Sequence, residues 1–213
     1  MIVTVSVSSI ELSPGSTVTI PNLSWQEFEL LLKELGENRT NRIAYYNGTL
    51  EIMSPLVLHE RPNRIITDIV KAILDSQGRD WEDFGSTTFT RPEVAGVEPD
   101  TCLYVQNALS VRGCTHMDLD VYPPPDLAVE SDLTSVTTVS AYTALRVPEV
   151  WIYKNNQLKI HIFENGSYTE SSTSLIFPEL PINVLIPTLV QKAINEGTSK
   201  MLRELKTQIL RGL

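Results

Sequence analysis

The sequence predicts an α/β protein whose mixed central β-sheet is flanked by helices. Three observations predict it: amphipathic helical stripes recur along the chain, β-prone runs bounded by turn residues lie between them, and no linker or internal repeat divides the whole. At 213 residues the chain can bury a substantial core. One domain over 1–213, with its core at about 20–195 and helices closing the C-terminus, is the economical reading.

The elements follow in order. "MIVTVSVSSIELSPGSTVTI" alternates apolar residues with Ser and Thr and lacks a basic n-region, so it reads as strand and not as a signal peptide. "SWQEFELLLKELG", Ser24 to Gly36, has an N-cap serine, Glu27 at the capping-box position, Phe28, Leu31, Leu32 and Leu35 at helical spacing, and a glycine stop. "RIAYYNGTLEIMSP" joins strands at 42–46 and 49–53 through Asn47-Gly48, a strong hairpin signal. "RPNRIITDIVKAILDSQG" places Ile65, Ile66, Ile69, Val70, Ile73 and Leu74 on one wide helical stripe. Strands are expected near 86–90, 100–105 and 125–131, then a helix over the Ser- and Thr-rich "SVTTVSAYTAL". "VPEVWIYKNNQLKIHIFENGSYTES" gives three strands with turns at "KNNQ" and "ENGS". The closing segment from "NVLIPT" gives two helices broken near Gly197.

Composition narrows the function. The chain carries 17 Lys and Arg against 26 Asp and Glu, a net charge of -9, which disfavours tight, unspecific binding along duplex DNA. It leaves room for acids gathered around a divalent cation with the bases on one rim. No apolar run approaches the roughly 20 residues that span a bilayer. The expectation is a cytoplasmic, non-membrane protein with Cys102 and Cys114 reduced; neither belongs to a CxxC pair, which argues against structural zinc. There is no P-loop, GxSxG, HExxH or dinucleotide fingerprint, and no organic cofactor is expected.

Four acids stand in strand-like or turn contexts: Glu51 in "TLEIM", Asp100 in "VEPDTCLYV", Asp126 and Glu130 in "PDLAVES". Alternation puts Asp126, Ala128 and Glu130 on one face of their strand and Leu127, Val129 and Ser131 on the other. With Asp100 opening a neighbouring strand, Asp100 and Glu130 converge at the end of the sheet, an arrangement suited to a hard cation such as Mg²⁺ that activates water. Turn chemistry alone also accounts for Asp100 and Asp126, since both follow proline, and an arginine salt bridge would account for Glu130. His59 suits either a phosphate or metal contact or a helix cap. Arg61, Arg64 and Lys71 give the long helix a basic face that solvation explains equally well. Trp25, Trp81, Trp151, Tyr45 and Tyr46 fall in core-like patterns.

The order "NGTLEIMSP", His59 and the long helix, "VEPDTCLYV", "PPPDLAVESD" and "AYTALRVPEVWIY" resembles the Uma-two family within the PD-(D/E)XK nuclease superfamily, over about residues 20–195. "VPEVW" is its most recognisable phrase. The resemblance implies a restriction-endonuclease-like PD-(D/E)XK fold, a Mg²⁺- or Mn²⁺-dependent site hydrolysing DNA phosphodiesters, and a homodimer. It makes Pro99-Asp100 the motif's PD, Glu130 its second acid and Glu51 a supporting acid. Asp126 falls on a second Pro-Asp, positional first and metal-ligating second. The departure is the lysine: the triplet reads Glu130-Ser131-Asp132, and Thr138 stands four residues before Tyr142, where relatives of this branch often carry it. No lysine occurs between Lys71 and Lys154. Candidate surrogates are Lys71, Lys154 and Arg146, an arginine being the weaker because its planar fork orients differently and it does not deprotonate. The alternative function is a catalytically inactive nuclease-fold module for binding or dimerisation.

Overall fold

Strand alternation and three apolar helix faces organise the molecule into layers. The computed structural model describes residues 7, 10–36, 40–131, 133 and 135–209, with only the backbone of 57–59. The elements are β1 (Thr17–Ile20), α1 (Trp25–Leu35), β2 (Arg42–Tyr46), β3 (Thr49–Met53), α2 (Val57–Ser76), β4 (Glu82–Gly85), β5 (Phe89–Arg91), β6 (Ala95–Val97) and β7 (Thr101–Tyr104). There follow α3 (Ala108–Val111), β8 (Leu127–Glu130), α4 (Val136–Leu145), β9 (Glu149–Lys154), β10 (Gln157–Glu164), β11 (Ser167–Ser171), α5 (Ile182–Glu196) and α6 (Thr198–Ile209).

The strands form two sheets. A five-stranded antiparallel sheet runs β1-β3-β2-β6-β5, and a six-stranded mixed sheet runs β11-β10-β9-β8-β7-β4. Within the second sheet β8 and β9 are parallel, with Glu130 opposite Ile152. A parallel pair needs a crossover, and α4 provides it. Leu103, Leu127, Val129 and Trp151 point to one face of the mixed sheet and are buried there by α2, α5 and α6. Cys102, Ala128 and Val150 point to the other face, against α4 and the inner side of the five-stranded sheet. The outer side of that sheet, Ile43, Tyr45, Leu50 and Ile52, is covered by Phe28 and Leu31 of α1.

Most expected elements are present. Ser24 and Glu27 form a reciprocal capping box at the start of α1. The Asn47-Gly48 hairpin, α2, α4, the β9-β10-β11 meander and the two closing helices occupy their expected positions. The opening strand is confined to Thr17–Ile20 among the described residues; residues 1–6, 8 and 9 lie outside them. The strand expected near 86–90 is β5, displaced to 89–91, and the four-residue β4 and three-residue β6 appear where none was expected. In β6 the hydrogen of Gly96 is needed: a Cβ there would stand 2.9 Å from the Phe28 ring. Cys102 and Cys114 are free thiols. Among the described residues no helix is long and apolar enough to cross a membrane.

Candidate active site

The chain passes from one sheet to the other through Glu98-Pro99-Asp100, between β6 and β7. This hand-over sets Asp100 beside the end of β8. The Asp100 carboxylate accepts a hydrogen bond from Asn63 Nδ2 of α2 (2.8 Å) and from the backbone N–H of Ser131 (2.9 Å). The backbone N–H of Asp100 lies near the Glu130 carboxylate and favours its charged form. Asp100 and Glu130 are thus brought together as the motif reading expects.

Glu130 is 4 % exposed, and the hydroxyl of Tyr142 on α4 donates to it. Burial pushes its carboxyl well above the ordinary range, and the charge of Asp100 pushes the same way. The Tyr142 hydroxyl, the Asp100 N–H and the Arg42 guanidinium pull it back. The Tyr142 phenol is pushed up by burial first and by the Glu130 charge second, so its hydroxyl remains a donor.

In front of Glu130 lies a cavity of about 70 Å³. Its walls include Glu51 of β3, Arg42 of β2, Glu98, Ser135 and Thr138. The Glu51 carboxylate accepts from the hydroxyl of Ser135, the N-cap of α4, and the expected supporting acid thus lines the cavity together with Glu130, from the other sheet. Glu98 was not singled out by the sequence. It is buried, accepting from the backbone N–H of Ile43 (3.2 Å) and the hydroxyl of Thr88. Its position before Pro99-Asp100 was the available clue. Asn63 went unnoticed too; it is 2 % exposed, and its Oδ1 is buried without a hydrogen-bond partner beside Asp100.

Asp126 does not join them. Four residues up β8 from Glu130, about 13 Å at strand rise, its carboxylate accepts from the N–H groups of Val105 (2.7 Å) and Asn107 (2.9 Å) and from Asn107 Nδ2 (2.6 Å). It fastens the turn after β7. Glu149 of "VPEVW" shows separately that burial alone does not mark a site. Fully buried, it accepts from Trp151 Nε1 and from the N–H groups of Leu175 and Ile176, pinning that loop to β9.

None of the three expected lysine surrogates lines this cavity. Lys71 pairs with Asp83 and lies 5.0 Å over the Trp81 ring. Arg146 is the exposed C-cap of α4, with φ of 58°. Lys154 ends β9, two residues beyond the Ile152 that pairs with Glu130, and lines a neighbouring cavity with Lys159 and His161. Thr138 does line the acid cavity, and the side chain of His59 and all of Asp132 lie outside the described residues.

Among the described residues no three His, Cys, Asp or Glu side chains form a cage for a metal ion. Mg²⁺ does not require one, since it takes one or two carboxylates and keeps several waters. The hard oxygens of Asp100 and of the buried Glu130, together with the orphaned Asn63 Oδ1, fit such an ion.

The sequence profile of the Uma2 family, described as "Putative restriction endonuclease", matches residues 25–192. No curated protein matches the chain. Among solved structures, one described as a "putative nuclease belonging to DUF820 from Anabaena variabilis ATCC 29413" is similar with 12% identity and a TM-score of 0.49, over 84% of this chain and 99% of that one.

Proposed function

The chain belongs to the Uma2 family of restriction-endonuclease-like proteins, and from that premise we propose that it is a divalent-cation-dependent endonuclease hydrolysing DNA phosphodiesters. The observation that carries this reading is the meeting of Asp100, just before β7, with Glu130, at the end of β8, where Glu130 lines a cavity of about 70 Å³. Asp100 and Glu130, with Asn63 Oδ1 as a further oxygen, would hold Mg²⁺ or Mn²⁺, which supplies acidity to water and positive charge to the phosphoryl group.

The protein's own groups do the rest. Asn63 and the Ser131 N–H orient Asp100, and Tyr142 orients Glu130, so neither carboxylate reorganises when charge develops. At about 70 Å³ the cavity has room for a few waters but not for a nucleotide, so the strand would lie across its mouth. Water oxygen bonds to phosphorus as one P–O ester bond breaks; Glu51 takes the water proton, and the leaving oxygen takes one from solvent. One new strand end carries the phosphate and the other the hydroxyl. Cutting both strands calls for two sites, and the working form is read as a cytoplasmic homodimer.

A second reading is favoured by Thr138 lining the cavity with no lysine among its described lining residues: the same scaffold serving as an inactive binding or dimerisation module. Calorimetric titration of Mn²⁺ into the wild type and into Glu130→Ala and Asp100→Ala, followed by cleavage of plasmid DNA, separates the two. The nuclease reading expects Mn²⁺ binding that both variants abolish, and nicking that requires the ion. A wild type that neither binds Mn²⁺ nor nicks DNA would leave the module.

A further inference from the structure

We propose that Arg42, from β2, is the group that holds the scissile phosphate of the strand and balances the charge that builds on it. The proposal rests on the nuclease reading and names the cation within it.

Three carboxylates, Glu51, Glu98 and Glu130, line the acid cavity, and Arg42 is the single cation among its described lining residues. An anionic strand approaching three carboxylates needs a fixed positive group at the entrance. Arg42 occupies the right place for one. Together with Glu98 it also lines a second, larger cavity of about 330 Å³, whose wall is rich in hydroxyls from Ser86, Thr87 and Thr88. The inner cavity has the volume of a few waters, while the outer one falls in the range of small-ligand pockets. A nucleotide seated in the outer cavity places its phosphate at the partition, which is where Arg42 stands.

The guanidinium is held and yet not spent. Its side chain is 13 % exposed. Nη2 lies 3.4 Å from Glu60 Oε1, and Nη1 donates to the Thr40 carbonyl at 3.4 Å, both long contacts. Nε is buried without a partner. A buried N–H without an acceptor is costly and therefore uncommon. A phosphate oxygen would satisfy it through a charge-assisted bond. The charge already reaches the acids, since Arg42 is among the groups that pull the Glu130 carboxyl down against its burial. Lys154 lines a different cavity, and Arg42 is preferred to it for that reason.

The test compares wild type, Arg42→Gln, Arg42→Lys and Glu60→Gln. A fluorescein-labelled DNA duplex is bound in EDTA and, separately, cleaved in Mn²⁺, with circular dichroism and melting as fold controls. The expected result is that Arg42→Gln weakens metal-free binding about tenfold and turnover about a hundredfold. Arg42→Lys should recover part of both, and Glu60→Gln, which breaks the bracing ion pair and the long, exposed Arg64 contact, should bind as wild type does. In Arg42→Ala, added guanidinium ion should restore turnover, which a purely structural loss would not allow. Arg42→Gln behaving as wild type in both assays overturns the assignment and leaves the nuclease reading intact. Metal-free binding that depends on Arg42 without any cleavage by the wild type supports the phosphate contact and removes the nuclease reading. A wild type that neither binds nor cleaves overturns both.

Discussion

Glu130 ends a strand whose other residues are all apolar and buried, and its carboxyl is pushed above the ordinary 4.5 by burial first and by Asp100 second. The fold therefore prefers the neutral form. Stability that the neutral carboxyl contributes is fully present below the unfolded value and is lost as pH rises through the raised folded value. Without metal, Glu130→Gln should match the wild type near pH 4, apart from a constant offset, and become progressively more stable than it as pH rises above the usual glutamate range. Urea melts in EDTA across that range measure the difference; one that stays flat with pH would mean that burial does not penalise the charge. The sequence made Glu130 and Asp100 legible because an acid among apolar residues, or after a proline opening a strand, breaks a local pattern. Arg42, Asn63 and Glu98 break none. Arg42 opens a strand, Asn63 sits on a helix turn among polar neighbours, and their importance arises only where the five-stranded sheet and α2 meet Asp100 and Glu130.

The segment that joins β8 to β9 carries the site's scaffolding, for Ser135 reaches Glu51, Tyr142 reaches Glu130, and α4 packs on β2, β3 and β6 of the other sheet. This helix stops at Arg146, whose left-handed backbone places a β-carbon where glycine is preferred. Its side chain is exposed and outside the cavity, so Arg146→Gly should raise stability by about 0.5–1 kcal/mol while leaving Mn²⁺ affinity and nicking unchanged. Denaturant melts check the first half and calorimetry with plasmid nicking the second, and a loss of nicking with Mn²⁺ binding intact would restore Arg146 as a surrogate for the lysine. Helices and the Asn-Gly hairpin were legible because stripes, caps and turn residues act within a few positions. The short strands β4 and β6 were not: "EDFG" carries two acids, and "AGV" is three residues with a glycine whose missing side chain makes room for Phe28. Such strands are held by their neighbours in the sheet more than by their own side chains.

At the scale of the whole molecule, the periodicities fixed which face of each strand is apolar but not how the strands divide into two sheets, because partner choice depends on long-range contacts. That division is what builds the site. Glu51 and Arg42 belong to the five-stranded sheet, Asp100 and Glu130 to the mixed one, and Glu98-Pro99-Asp100 carries the chain between them. With residues of α4 bridging both sheets, an ion held by Asp100 and Glu130, as proposed, would be bound only while the mixed sheet, α2 and α4 stay docked. Binding should thus stabilise the entire fold and not a local loop. At a hundredfold excess over its dissociation constant, one Mn²⁺ adds about 2.7 kcal/mol to the native state, which in a chain of this length raises the melting midpoint by about 5–10 °C. The wild type should show a single transition that moves upward as a unit with Mn²⁺, and Glu130→Ala should show one that does not move. Two transitions, with only one responding to the ion, would mean that the sheets unfold separately and that the acids bind the ion without help from the five-stranded sheet.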